Sequence, residues 1–241
     1  MPTDKHTYDL IFSLGGNCSA AGQLRRRGLR LFSLPFDWVC SKDARPMEYL
    51  CEGFSDGFKN LALKENLKRV EWNKEHPIVY QDSYSGYCFP NHFKHSFEEQ
   101  DEYPSFHETL RKRCDRLFEK IGSAKTVLCV FSGEVEVEID CIRRLEKTLK
   151  AVFPETVFHF EIVQFNAGQN SVEEFGNIRR RKWERPVNIY DFQQTNFEWA
   201  FMDDLCVPRP PRKKGFDGLL YKIWKHLGKR LKKKGILINE F

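Results

Sequence analysis

One short segment constrains the fold of this chain more than any other part of its sequence. An apolar run, Tyr8–Phe12, leads almost directly to two consecutive glycines, Gly15 and Gly16. Such runs form buried strands, and glycines let a backbone turn sharply and approach other groups closely. The following residues, Cys18–Arg27, place small and apolar side chains at helical spacing, and Gly28 is a natural stop for a helix. The sequence therefore predicts a Gly-rich strand-to-helix turn with a cysteine in the first turn of the helix.

The second half of the chain carries the pattern of a β-α-β unit. Thr126–Phe131 and Val157–Phe165 are runs of strand-forming residues, and Ile139–Val152 between them repeats apolar side chains at helical spacing. A further helix is predicted over 106–121 and a weaker strand over Val187–Phe192. Because strands that alternate with helices form parallel sheets, we predict an α/β fold.

The region between these two patterns is less regular. Residues 46–63 are expected to form a short helix followed by a loop. The aromatic-rich stretch Trp72–Phe93 is expected to form one or two short strands with a turn at Asp82–Gly86. No linker-like composition separates these parts, so residues 1–206 are predicted to form a single catalytic-like domain.

Charge is unevenly distributed along the chain. Its 241 residues include 39 Lys and Arg against 34 Asp and Glu, a net charge of +5. Residues 212–234 hold ten basic residues and one acidic residue, so this segment carries +9 and the rest of the chain −4. A mildly acidic body without a recognition motif argues against nucleic acid as a partner.

The basic segment belongs to a second predicted region, 207–241. A Pro-rich basic linker at 207–214 precedes residues that place Trp224 and several leucines on one face of a helix, with lysines largely elsewhere. Such a helix can lie on an anionic membrane surface through residues 219–234. It can equally dock on the core with its basic face in solvent. Both interpretations remain open.

The cysteines and the start of the chain indicate a compartment. The eight cysteines form no CxxC pair and no Cys/His cluster with zinc-ligand spacing, so no metal and no other cofactor is expected. The first residues lack a signal-peptide profile, and no apolar run is long enough for a transmembrane helix. We therefore expect reduced thiols in the cytoplasm, with peripheral contact at the inner membrane face if the basic helix binds lipid.

Cys18 is the candidate nucleophile. Backbone N–H groups at the start of a helix stabilise a thiolate, and a nearby imidazolium would lower its pKa further. The N–H groups of Gly15, Gly16 and Asn17 are candidates for an oxyanion hole or an anion-binding site. Two other interpretations stay open. One is a structural cysteine in a turn, and the other is a phosphate-binding loop, although neither common glycine motif for phosphate is present.

A nucleophilic cysteine needs a base, and the candidate is His92 in the aromatic segment 88–95. His92 can serve only if the fold brings it to Cys18. The candidate to orient its imidazole is Asp37, which lies between Phe36 and Trp38. A turn-capping role explains Asp37 equally well. Other candidates for the orienting group are Asp82, Asp101 and Asn166.

Three motifs together resemble one family. They are Ser13-Leu-Gly-Gly-Asn-Cys18, Ser33-Leu-Pro-Phe-Asp-Trp38 and Phe89-Pro-Asn-His92-Phe93, with Leu24-Arg25 and Gly28-Leu29-Arg30 between the first two. Over residues 8–200 the chain is similar to a bacterial and viral family described as papain-like cysteine peptidases (DUF1796). The resemblance implies Cys18 as the nucleophile and His92 as the base, with a papain-like α+β fold as the alternative. It also implies a connection with polysaccharide biosynthesis, because members are often encoded near glycosyltransferase genes.

Two functions follow from these observations. The first is a cysteine-nucleophile hydrolase or acyl transferase that forms a thioester with a peptide, acyl or glycan-related substrate. The second is a non-peptidase α/β module of envelope polysaccharide biosynthesis, which would hold an anionic or sugar-nucleotide ligand at Gly15–Asn17. The geometry around Cys18 is the observation that separates them most directly.

Overall fold

A five-stranded sheet lies at the centre of the fold in the computed structural model, which describes residues 6–72, 77–90, 92–184 and 198–208. The strands in these ranges are β1 (His6–Thr7), β2 (Leu10–Gly16), β3 (Leu67–Val70), β4 (Val79–Asp82), β5 (Cys88–Phe89), β6 (Thr126–Gly133), β7 (Val157–Gln164), β8 (Ser171–Phe175), β9 (Ile178–Lys182) and β10 (Leu205–Cys206). The helices are α1 (Ser19–Arg26), α2 (Arg45–Asp56), α3 (Tyr103–Gly122) and α4 (Ile139–Val152), with short 3-10 turns at Lys64–Asn66 and Ala200–Asp204.

The central sheet is mostly parallel. Its order is β2-β6-β7-β9-β8, in which the first four strands run parallel and β8 pairs antiparallel with β9. β6, α4 and β7 form the predicted β-α-β unit, with Thr126 opposite Val157. The prediction of helices combined with a partly parallel sheet is confirmed. The antiparallel strands keep the fold consistent with the papain-like α+β alternative as well.

Apolar side chains cover both faces of the central sheet, as buried parallel strands require. Phe12 of β2 belongs to the apolar cluster that contains Leu145 of α4. Its neighbour Ile11 belongs to a second cluster with Leu24 of α1. Successive strand side chains point to opposite faces, so α1 and α4 cover opposite faces of the sheet. The turn from β2 into α1 therefore lies at the carboxyl edge of the sheet.

A small antiparallel sheet, β3-β4-β5, packs beside the central one. β4 and β5 are the short strands predicted within Trp72–Phe93. The predicted turn joins them, since the Gly86 N–H donates to the Asp82 carbonyl over 2.8 Å. The sequence does not predict β3. This sheet matters for the site because β5 leads toward His92.

The hairpin of β8 and β9 is absent from the sequence prediction because charged residues fill both strands. In the structure these charges pair across strands. The Arg180 guanidinium donates to the Glu173 carboxylate over 2.7 Å, and Arg181 donates to Glu161 of β7 over 2.9 Å. Opposite charges that face one another across strands stabilise these strands, although so many charged residues in a sequence are typical of a solvent-exposed loop.

Some sequence predictions concern residues outside the described ranges. These predictions are the weaker strand Val187–Phe192, the linker beyond Pro208 and the basic helix at 219–234. The division of the chain into regions 1–206 and 207–241 therefore stays a prediction. Among the described residues, no helix combines the length and apolar character that a membrane crossing needs. In the same residues, no group of three or more His, Cys, Asp or Glu side chains is arranged to hold a metal ion.

Candidate active site

Cys18 lies where β2 ends and α1 begins. It is the N-cap residue of α1, with φ −75° and ψ −5°, and its side chain is half-buried. Gly15 and Gly16 precede it with φ of 86° and 88°, a region that disfavours residues with a Cβ. A Cβ at Gly16 would lie 2.2 Å from the Ser132 carbonyl oxygen. The glycines therefore allow β2 to pass close to β6 and to bring Cys18 to the carboxyl edge of the sheet.

Several N–H groups of this turn already have partners in the protein. The Gly15 N–H donates to the Ser13 hydroxyl over 3.0 Å, and the Ser19 N–H to the Asn17 side-chain oxygen over 3.0 Å. The Ala20 N–H donates to the Ser132 hydroxyl over 3.2 Å, which itself donates to Asn17 over 2.6 Å. Asn17 thus forms an Asx turn at the start of α1, in which its side-chain oxygen accepts the backbone N–H two residues on.

The fold brings together the three segments that carry the sequence motifs. The Ser41 N–H donates to the Gly16 carbonyl over 2.8 Å, which places the second segment beside the first. Cys40 and Cys88 exchange two backbone hydrogen bonds, of 3.0 and 2.8 Å, which places the third segment beside the second. Stacking of Phe36 on Tyr87, with ring centroids 5.2 Å apart, reinforces this junction.

The side chains of Cys18 and Cys40 are neighbours, and each affects the pKa of the other. A hydrogen bond from Cys40 and one from its own backbone N–H lower the pKa of Cys18, although burial opposes them. The pKa of Cys40 is raised well above the ordinary thiol value, because Cys40 donates that hydrogen bond, is buried and lies near the Cys18 sulfur. Of the two thiols, Cys18 therefore loses its proton first, and the thiolate forms on the more exposed sulfur.

His92 lies in an aromatic environment. Its ring meets Phe89 and Phe106 edge-on, each at a centroid distance of 5.5 Å. Burial, followed by the charge of Arg113, lowers its pKa to about 4, against the effect of a hydrogen bond with the Trp38 backbone. Nε2 is inaccessible and has no hydrogen-bond partner. The hydrogen bond to the Trp38 backbone is therefore donated by Nδ1–H. The imidazole is neutral, and its Nε2 has a free lone pair.

Asp37 is held in the turn that precedes Trp38. Its carboxylate accepts the Leu34 N–H over 2.8 Å and pairs with Arg30 at 3.1 Å. Burial raises the pKa of Asp37, while the Leu34 N–H and nearby arginines act in the opposite direction. Within the described residues no hydrogen bond links Asp37 to His92, or His92 to Cys18. The residue that holds the imidazole is Trp38, next to Asp37.

The other candidates for an orienting group lie elsewhere. The buried Asp82 carboxylate accepts the Ala62 N–H and the Ser85 hydroxyl, over 3.0 and 2.6 Å. Asp101 is an exposed partner of Lys64 at 2.6 Å. Asn166 follows β7 in a left-handed conformation with φ of 56°. These contacts give Asp82 and Asp101 structural roles in loops and turns.

A cavity of about 510 Å³ opens at the carboxyl edge of the central sheet. Gln164, Asn166 and Gln169 contribute its amide side chains, and Glu136 and Lys182 its charges. The Gln164 side-chain oxygen is buried without a hydrogen-bond partner. The cavity residue Gln164 ends β7, which lies two strands away from β2 in the sheet. Gly16 is paired with Ser132 of β6, and the next residue of β6, Gly133, is paired with Gln164. Two strand spacings therefore separate the cavity from the end of β2, a distance of about 10 Å.

Comparison with known proteins assigns the family. The family model described as "Putative papain-like cysteine peptidase (DUF1796)" matches residues 9–170. The chain belongs to this family. The matched range contains Cys18, Asp37 and His92, and it also contains Cys40, the partner of the Cys18 thiol.

A viral protein is also similar. It is "Uncharacterized protein R408" of Acanthamoeba polyphaga mimivirus, 28% identical over 137 residues that cover 50% of this chain and 60% of the viral protein. The chain thus spans about 60% of the length of this curated relative. No solved structure matches the chain significantly. The family membership therefore rests on the match over residues 9–170.

Cys40 is the site residue that sequence reasoning missed. It lies two residues after Trp38, which is the last residue of a motif on which the family resemblance rests. A helix and an irregular loop separate the two cysteines in sequence, and no spacing rule predicts that the fold brings Ser41 to Gly16 and so the two cysteines together. Its position directly beside a family motif is the only signal that the sequence offered.

Proposed function

We propose that the chain is a cysteine-dependent hydrolase or acyl transferase in which Cys18 attacks a carbonyl carbon and forms a thioester. The observation that carries this proposal is the Cys18–Cys40 thiol pair at the start of α1. Of the two sulfurs, Cys18 is the more exposed, and its pKa is lowered by the hydrogen bond from Cys40. An accessible sulfur with a lowered pKa is what nucleophilic catalysis requires.

In this mechanism His92 is the base. Its Nδ1–H is held by the Trp38 carbonyl, so we assign Nε2 as the nitrogen that takes the proton from Cys18 and later returns it to the leaving group. Because Nε2 is buried and makes no hydrogen bond to Cys18 in the structure, this step requires the two side chains to approach each other when substrate binds. We assign Asp37 a positioning role. Its bonds to Leu34 and Arg30 hold the turn that presents Trp38 to His92.

Negative charge develops on the substrate oxygen when Cys18 attacks. The backbone N–H of Cys18 already faces the two sulfurs at the start of α1, and we propose that it donates to this oxygen. Gly15, Gly16 and Asn17 then act mainly by shaping the turn. Asn17 does so through Ser19 and Ser132, which occupy its side-chain oxygen.

We place the substrate along the carboxyl edge of the sheet, between Cys18 and the cavity at Gln164. Ligands of open α/β sheets commonly bind at this edge. The amide side chains of Gln164, Asn166 and Gln169 suit a neutral substrate rich in hydrogen-bonding groups, such as a peptide or an N-acylated sugar. The alternative of an anionic ligand at Gly15–Asn17 has less support, because the N–H groups of Gly15 and Ser19 are occupied.

Acylation by p-nitrophenyl acetate tests the proposal without knowledge of the natural substrate. We expect a burst of p-nitrophenolate and an acetyl group on the tryptic peptide 6–25, which contains Cys18 and no other cysteine. Cys18→Ala should abolish the burst, and His92→Ala should slow it. Cys51→Ala is the matched control, because Cys51 is another half-buried thiol. Acetylation of Cys51 in preference to Cys18 would refute the proposal.

A further inference from the structure

The contact between Cys18 and Cys40 offers a chemistry that acyl transfer does not use. Both residues are free thiols in the structure, and their side chains are neighbours. Their backbones are fixed by the 2.8 Å hydrogen bond from Ser41 to Gly16, one residue beyond Cys40 and two before Cys18. Cys40 is further held by its two backbone hydrogen bonds to Cys88. The fold therefore holds the two backbone segments that carry these sulfurs side by side.

We infer that Cys18 and Cys40 form a reversible disulfide when a hydroperoxide reaches the site, and that the disulfide switches the nucleophile off. This inference rests on the proposed function, because it assigns a regulation to the same sulfur. It makes the pair a modification site with Cys18 as the sulfur that reacts first and Cys40 as the sulfur that resolves.

The reaction balances with the hydroperoxide as the oxidant. The Cys18 thiolate attacks the terminal oxygen, so an S–O bond forms, the O–O bond breaks, and an alkoxide or hydroxide leaves and takes up a proton. The Cys40 sulfur then attacks the sulfur of the Cys18 sulfenic acid. An S–S bond forms, the S–O bond breaks, and the departing oxygen leaves as water with the proton of Cys40. Two thiols are oxidised and one hydroperoxide is reduced.

Accessibility sets this order of events. Cys18 is half-buried, whereas only 4% of Cys40 is exposed, so an oxidant in solution meets Cys18 first. Cys88 is the other thiol near Cys40, and it is fully buried. A Cys40–Cys88 disulfide would require a hydroperoxide to enter the core, so the Cys18–Cys40 pairing is the one that the fold favours.

Two of the three other half-buried thiols of the described residues, Cys51 and Cys141, have hydrogen-bond partners on their own helices. Cys51 donates to the Met47 carbonyl on its own helix, over 3.8 Å. Cys141 accepts from the Arg144 guanidinium over 3.0 Å. Both serve as internal controls, because any disulfide that either one forms is a product distinct from the Cys18–Cys40 link.

Peptide mapping after treatment with hydrogen peroxide tests the inference. The full chain is oxidised at neutral pH, blocked with iodoacetamide and digested with trypsin. Four arginines separate Cys18 from Cys40, so the disulfide joins two peptides, 6–25 and 31–42, each of which contains one cysteine. We expect this linked pair as the main oxidation product. Dithiothreitol should release it and restore labelling of Cys18.

Variants separate this outcome from a failure of folding and from a failure of the proposed function. In Cys40→Ser and Cys40→Ala the link cannot form, and Cys18 should advance to a sulfinic acid that dithiothreitol does not reverse. Cys88→Ala should still form the link. The readout is a mass, so a link without acylation by p-nitrophenyl acetate would establish the disulfide but would remove the proposed function and, with it, the switching role of the disulfide. The inference would be overturned by a Cys40–Cys88 link, or by sulfinic acid at Cys18 of the unaltered chain without a link.

Discussion

The hydroxyl of Tyr87 donates a hydrogen bond of 2.7 Å to the backbone carbonyl of Leu14, which is 73 residues away in sequence. Tyr87 is fully buried, and its ring also stacks on Phe36. One side chain therefore connects the strand that leads to Cys18 with the segment that leads to His92. The geometry of the candidate site depends on this connection, although Tyr87 itself takes no part in the chemistry.

Tyr87→Phe should therefore destabilise the protein by about 1–3 kcal/mol, because it leaves the Leu14 carbonyl buried without its donor. Urea unfolding should show a lower midpoint with an unchanged slope. Tyr84→Phe is the matched control, since 41% of Tyr84 is exposed and its hydroxyl contacts Glu52 at the surface. Equal losses in the two variants would show that the buried hydrogen bond contributes nothing specific.

Gly16→Ala should cost more than the same change at Gly57. Both glycines have positive φ, 88° and 76°, so both substitutions carry a backbone strain of about 1–2 kcal/mol. A Cβ at Gly16 would also lie 2.2 Å from the Ser132 carbonyl oxygen, whereas a Cβ at Gly57 meets nothing within 4 Å. We expect Gly16→Ala to lose about 1–3 kcal/mol beyond Gly57→Ala, the usual cost of overpacking. Thermal unfolding of the two variants provides the comparison, and equal stabilities would contradict it.

Much of the fold could be predicted because local patterns agree with burial. The apolar spacing of Ile139–Val152 predicts α4 to the residue, and the two glycines at the end of β2 locate the turn into α1. The hairpin of β8 and β9 could not be predicted in this way. Its stability depends on cross-strand pairs such as Arg180 with Glu173, and a charged residue shows no partner in the sequence.

The candidate site shows the same division. Cys18 is identified by a local signal, namely a cysteine after two glycines at the start of a helix. Its proximity to Cys40 is not local, because the fold brings the loop that contains Ser41 to Gly16 at the end of β2. Asp37 likewise illustrates how one motif can have two explanations. Its contacts with Leu34 and Arg30 belong to the turn-capping interpretation.

Labelling with iodoacetamide should show different pH profiles for Cys18 and Cys51. The hydrogen bond from Cys40 lowers the pKa of Cys18, whereas burial raises the pKa of Cys51. Because the thiolate is the reactive form, labelling of Cys18 should reach its plateau at lower pH than a free thiol, and that of Cys51 at higher pH. Cys40→Ala should move the Cys18 profile to higher pH. Superimposable profiles for the two cysteines in the unaltered chain would show that Cys18 is not activated.

His92 should make stability depend on pH in mildly acidic solution. Its pKa is lowered to about 4 in the folded protein, mainly by burial, whereas an unfolded chain has the ordinary value of about 6.5. Between these values the unfolded chain binds more protons, so stability contributed by neutral His92 is complete above the unfolded value and is lost as pH falls toward 4. In His92→Gln this component should vanish from urea-unfolding data, while the exposed His95→Gln should retain it. A pH dependence unaltered by His92→Gln would contradict the assignment.

The basic segment 219–234 gives a prediction about membranes that rests on the sequence alone. Ten basic residues within 212–234 should attract the chain to vesicles that contain phosphatidylserine. Removal of the residues after 210 should abolish this binding in a sedimentation assay at low salt, because the remaining chain is mildly acidic. Vesicles of phosphatidylcholine alone are the control, and added salt should weaken the interaction by screening. If the full chain fails to bind anionic vesicles at low salt, the membrane interpretation is wrong, and the alternative of a helix docked on the core takes its place.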